Sequence, residues 1–483
     1  MAKIKPITIS NWDKGIGDSA HAGFGDMRNI DIYSVPGVAQ INRILVKESS
    51  TTVTAMPTWA AIDQSGNIYV VDSSHKLYVS TDTGDSWSLV AHTGASTGNG
   101  NGLVIWKDYL FLIGDTKIDV YGSLAGSPTW SDAWQTITSD TSFHPALVSQ
   151  DDAIYIGAGR YVASIIETAG QNFAPGTGAT FTFNGTALDL PEDYRIKSIS
   201  ENDTWLMLGT WKGTTLGTFN TADLFKWDRT SASFDNIVQI LEAGCNAMIN
   251  KDNDIIMFAG TSGEIYGLNG DFAELLRVIP NNITGGAWLQ VYPDAVENFS
   301  GRLLFGTSVG STSSGFTHGI FSLGTRKDET PLALAHEYTI STGTNTEVSI
   351  GLIKQVSNSR TIVGWKDASV FGLDLLSATN VVTSYGAFVD SPFYNIGTDL
   401  KKGVISLVEI ILAKDLASNE GIRIKYRTSL DDDWTTLGTF DFTTYGATNT
   451  GRFGLSVIAE NIQLKIELTG TTTSPQLKTI NIL

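Results

Sequence analysis

The chain has 483 residues, with 50 acidic against 32 basic side chains and a formal net charge of −18, a balance that repels a phosphate backbone and argues against tight non-specific nucleic-acid binding. Apolar residues make up 42% and charged residues 17%, which excludes a disordered chain, and the length exceeds what one ordinary core fills. A single cysteine, Cys245, excludes an internal disulfide and a Cys-rich zinc site; among Ala243, Gly244 and Ala247 it reads as a small buried residue.

From the N-terminus, Met1–Pro6 carries Lys3 and Lys5 but no apolar stretch of signal-peptide length follows, and no window approaches a membrane span. The expected site of synthesis and folding is therefore a cytosol. Residues 1–50, with Gly15, Gly17, Gly23, Gly25 and Pro36-Gly37, read as an extended arm that packs along the propeller or onto a neighbouring subunit. Gly15-Ile16-Gly17-Asp18-Ser19-Ala20 has the G-x-G-x-x-A form of a dinucleotide loop, but no βαβ unit follows it, so it reads as a plain loop.

Residues 51–387 repeat one pattern: a polar turn, then a short and nearly continuous apolar run. The runs are Gly66–Asp72, Asp108–Gly114, Asp152–Gly157, Asp203–Gly209, Asp254–Gly260, Gly301–Gly306 and Ser359–Trp365. Strands that need no polar alternation are buried on both faces. Their spacing of about 40–58 residues, each run followed by another strand, predicts a β-propeller with four strands per blade. Seven blades fit best, with six or eight open. Only Asp271–Arg277 reads as helical, and it is barely two turns. Trp87, Trp106, Trp205 and Trp365 fall at strand positions and are core candidates.

After residue 388 the runs lengthen and alternate: Val404–Leu412, Ile422–Arg427, Phe453–Val457 and Ile462–Leu468, with an Asp-rich turn at Ser429–Trp434. They predict a separate β-sandwich over 388–483.

Motifs with chemical possibilities are few. Ser80-Thr81-Asp82-Thr83-Gly84-Asp85-Ser86-Trp87 resembles the Asp-box of sialidases and related propellers, S-x-D-x-G-x-x-W. The resemblance implies a structural hairpin that begins at Ser80: Asp82 bonds turn amides, Gly84 allows positive φ and Trp87 packs between strands. Sialidases repeat the box and carry an arginine triad; one box and no assignable triad argue against that activity. Gly306-Thr307-Ser308-Val309-Gly310 has the form of a nucleophile elbow, but Ser311–Gly315 is a poor helix start, so a Ser/Gly loop is expected. His21, His75, His92, His144, His318 and His336 lack metal-ligand spacing. Asp431-Asp432-Asp433 and Asp252-Asn253-Asp254 lack the remaining ligands of a calcium loop and read as solvated turns. No enzyme, cofactor or metal is expected.

Both ends carry a resemblance. Ile9–Ile16, Met27–Ile32 and Val35-Pro36-Gly37, with Leu407–Ile410, Lys425-Tyr426-Arg427, Trp434, Leu437-Gly438, Leu468–Gly470 and Ser474-Pro475, resemble segments that flank the propeller of tailed-bacteriophage virion proteins. Size and order of parts look most like the tail nozzle of short-tailed phages. The resemblance implies a virion structural protein assembled as a ring homo-oligomer, a hexamer by analogy, touching portal, adaptor or other tail proteins. DNA would be passing cargo only, and an acidic wall suits its passage. A glycan-binding host-recognition protein and a sialidase-like glycosidase are the other readings to weigh.

Overall fold

The computed structural model describes residues 6–17, 23–48, 52–92, 101–138, 143–167, 181–213, 221–280, 288–309, 318–324, 332–341, 347–397 and 402–483. Ser19, Ala20, His21 and Ser311–Gly315 lie outside them. The chain divides into two compact units: Val46–Gly319 with Ile340–Leu375, and Met1–Leu45 with Ile320–Thr339 and Leu376–Leu483.

The first unit holds five four-stranded antiparallel sheets in chain order, beginning with Pro57–Ile62, Ile68–Asp72, Leu77–Ser80 and Ser88–Leu89 and ending with Cys245–Lys251 through Phe272–Val278. The hairpins Leu289–Phe299 with Arg302–Val309, and Val348–Ser357 with Arg360–Asp367, follow the same order. The innermost strands are Pro57–Ile62, Gly102–Trp106, Ala146–Val148, Tyr194–Glu201, Cys245–Lys251, Leu289–Phe299 and Val348–Ser357. Each touches the next, and Val348–Ser357 touches Pro57–Ile62, so the row closes on itself. Radial sheets about a closed row of inner strands define a β-propeller.

The apolar runs of the sequence are the second strand of each sheet. Tyr109–Ile113, Ala153–Ala158 and Arg302–Val309 are buried along their whole length, because sheets cover them on both sides. Polar turns before several of these runs supply left-handed backbone, as at Asp108 (φ 68°), Asp152 (φ 61°), Asn253 (φ 73°) and Gly301 (φ 82°). Trp87, Trp106 and Trp365 are buried as expected, while Trp205 is half-buried against the Met207–Met257 cluster.

Phe272–Val278 corrects the one helical expectation. It is a strand, paired antiparallel with Glu264–Asn269; hydrogen bonding to a preformed neighbour overrides the helical propensity of Ala273, Glu274 and Leu275. The one α-helix among the described residues is Phe442–Tyr445, capped by Asp441.

The N-terminal segment is also a correction, being structural in place of an extended arm. Ile7–Ile9 pairs with Leu477–Ile482, and Asp26–Arg28 lies between Ala387–Asp390 and Ala333–Tyr338. Trp12 is fully buried, stacks on Phe24 at 5.2 Å and donates from Nε1 to Lys478 O at 2.9 Å. Burying Ile9, Trp12, Phe24, Met27 and Ile30 removes apolar surface that a free arm would leave in water. The second unit thus combines residues from both chain ends with Ile320–Thr339, and the boundary that follows the propeller falls at Leu376. Its strands form one sheet of Ile7–Ile9, Leu477–Ile482, Gly403–Leu412 and Thr450–Ala459, and another that includes Thr435–Asp441, Gly421–Arg427, Asn461–Thr469 and Ala387–Asp390.

Candidate functional site

Two places in the propeller gather polar groups: the Asp-box hairpin and the axis. In the hairpin, Ser80 Oγ donates to Asp82 Oδ1 at 2.8 Å and accepts from Gly84 N at 2.9 Å, while Asp82 Oδ1 also accepts from Ser86 N at 2.8 Å. Bonds from the Ser86 hydroxyl and amide hold the Asp82 carboxyl below the usual range. Gly84 has φ +91°, and Trp87 packs with Val53, Tyr78, Leu352 and Ile362. Residues of the first sheet thereby meet residues of Val348–Ser357 and Arg360–Asp367, nearly three hundred positions later. Asp85 continues the seam in a two-pronged ion pair with Arg360.

At the axis a cavity of about 630 Å³ is walled by Trp59–Ile62, Leu103–Ile105, Ala146–Val148, Ile199–Glu201, Met248–Asn250, Pro293, Asp294, Val296 and Lys354. Each innermost strand contributes. The charged groups of the wall are Glu201, Asp294 and Lys354. Glu201 is fully engaged: Ser149 Oγ, Gln150 N and Arg229 Nη2 all bond its carboxylate. Asp294 accepts one bond, from Ala60 N to Oδ2 at 2.8 Å, and burial pushes its carboxyl up to about 7. Lys354 Nζ lies 3.2 Å from Glu297 Oε2.

Next along the same inner strands, Lys197 is the residue left out of register between Ile196 and Ser198. Its ammonium sits 4.1 Å from the Phe143 ring centre, 4.8 Å from Trp211 and 5.7 Å from Tyr292. No hydrogen bond or carboxylate answers it among the described residues, and burial pulls the amine down to about 7.

The remaining motifs are structural. Ser308 is fully buried within Arg302–Val309; its Oγ donates to Ile350 O and accepts from Ile350 N at 2.9 Å, so it is tied to the next inner strand. Gly15 and Ile16 form bridges to Leu334 and Phe24. Asp252-Asn253-Asp254 turns a hairpin and Asp432 accepts from Thr428. His75 bonds Asp119 at 3.1 Å, His92 bonds Asp132 at 2.6 Å while stacked on Trp130, and His144 bonds two backbone carbonyls. Among the described residues no group of three His, Cys, Asp or Glu side chains could hold a metal ion, and no helix is long and apolar enough to cross a membrane. Asp294 and Lys197 were not singled out in the sequence, because no local motif surrounds either of them.

No family model and no curated protein matches the chain. Among solved structures, YCF48 bound to D1 peptide is similar at 8% identity and TM-score 0.47, covering 73% of this chain and 98% of that one. The Dos1 propeller is similar at 12% identity and TM-score 0.43, covering 70% and 94%. An exo-β-1,3-galactanase from Phanerochaete chrysosporium is similar at 10% identity and TM-score 0.31, covering 92% and 100%. These likenesses concern the fold alone. The class defined by sheet order and inner ring is an all-β protein built on a β-propeller.

Proposed function

We propose that this chain is a structural subunit of a tailed-phage virion, a tail-nozzle or tail-tube ring component with a seven-bladed propeller and a C-terminal sandwich. The observation that carries the reading is that the two phage-like termini fold against each other. Ile41 N donates to Ser474 Oγ at 2.7 Å, and Ala39 and Leu477 exchange backbone bonds of 2.9 and 3.0 Å beside Pro36-Gly37. Segments that resemble one family at both ends therefore form one structural element.

Charge distribution supports a passage role. The propeller unit carries 32 acidic against 16 basic residues, and the other unit 18 against 16. Such a surface lowers affinity for phosphate and lets DNA slide past. The passage would be the lumen of a ring of copies, since one propeller's axial cavity of about 630 Å³ is small-molecule sized.

The glycan-binding alternative draws less support, because it calls for exposed aromatic platforms and all twelve tryptophans are buried or half-buried. A glycosidase would need convergent catalytic carboxylates, and at the axis Glu201 is already committed to Arg229 and Ser149. Mass spectrometry of purified virions from the encoding phage tests the proposal. A stoichiometric band at 51.9 kDa supports it, and particles complete without the chain refute it.

A further inference from the structure

The axial cavity contains a carboxylate oxygen that the fold leaves unused. Asp294 Oδ2 is fixed by Ala60 N–H, but its Oδ1 has no hydrogen bond among the described residues, although the group stands in the cavity wall. Its neighbours are otherwise committed. Glu297 accepts from Lys354 Nζ and from the Asn298 and Gln355 amides, and Glu201 is held by Arg229 and Ser149. A buried carboxylate with a free oxygen, facing a cavity of about 630 Å³, asks for a hydrogen-bond donor.

We propose that the axial cavity binds a small amine, its ammonium donating to Asp294 Oδ1. The sign of the ligand follows from the surroundings. Asp294, Glu297 and Glu201 outnumber Lys354 and Arg229, and the unit around them is strongly acidic, so a cation is favoured over an anion or zwitterion. The inference does not depend on ring assembly.

Isothermal titration of hexylamine into the full chain at pH 8, with hexanol as the uncharged isostere, tests it. Saturable hexylamine binding is expected, with hexanol at least about tenfold weaker, the scale of one charge-assisted bond. Asp294→Asn preserves the bond from Ala60 N and is expected to lose a comparable factor. Lys354→Met, which removes a competing cation, is expected to bind hexylamine more tightly. Affinity should also rise as pH climbs through about 7, where Asp294 loses its proton. Equal binding of hexylamine and hexanol, an unchanged Asp294→Asn, or weaker binding to Lys354→Met overturns the proposal. If Asp294→Asn fails to fold by circular dichroism, a flat pH profile in the parent chain overturns it by itself.

Discussion

Asp85 and Arg360 form a two-pronged ion pair at 2.7 and 3.0 Å, joining residues 275 positions apart at the seam where the inner ring closes. The Asp-box tryptophan, Trp87, shares a buried cluster with Ile362, Leu373 and Leu375 across the same seam. A surface charge pair and a buried ring thus hold the same junction, and their contributions differ in size.

Because Asp85 is 57% exposed and Arg360 21%, water and salt screen the pair. Arg360→Ala is expected to cost about 0.3–1 kcal/mol, and a double-mutant cycle with Asp85→Ala should return coupling of that order. Trp87→Ala, which empties a buried site, is expected to cost about 3–5 kcal/mol. Urea denaturation of the variants checks the ranking; equal losses would mean that the seam is not held by packing.

Gly84 tests the hairpin. Its φ is +91°, and a Cβ there would lie 3.0 Å from Ile362 Cγ2. Gly84→Ala should lose about 1–3 kcal/mol through strain and crowding together. Gly66, equally left-handed at φ +86° but with nothing within 4 Å, is the control: Gly66→Ala should cost less in the same urea titration.

Lys197 gives stability a pH dependence of known sign. Its amine is held at about 7 in the folded chain against an ordinary 10.5. Between those values the unfolded chain binds the extra proton, so stability rises as pH climbs through the window and this group's penalty is fullest below about 7. Lys197→Met should stabilise the protein by about 1–3 kcal/mol at pH 6 and flatten the pH 7–10 slope. Chemical denaturation across that range reads both effects, and an unchanged slope would show that Lys197 is not its source.

Cys245 is fully buried, with burial pushing its thiol up to about 12. A disulfide reagent at pH 8 should therefore label it only in denaturant. Labelling of the native chain on the time scale of a small free thiol would mean that the sheet around Ser198 and Gly209 opens.

What the sequence revealed follows from where the deciding forces lie. Tyr109–Ile113 and Ala153–Ala158 were legible because burial on both faces writes a local apolar run. Ser80–Trp87 was legible because the hairpin's bonds lie within eight residues. Phe272–Val278 was not, since pairing with Glu264–Asn269 decides it and the local Ala-Glu-Leu-Leu reads as helix. Nor was the docking of Trp12, whose partner Lys478 is 466 positions away. Asp294 and Lys354 come from neighbouring inner strands paired at Asp294 and Leu352, a contact between segments too far apart in the chain for a local motif to write.

The central claim is that copies of this chain close into a ring. Mass photometry of the purified protein in low and moderate salt, with negative-stain images of the same sample, measures it directly. The account predicts a species near six times 51.9 kDa, seen as a six-fold ring with an open lumen. A stable monomer or trimer at every concentration would contradict it.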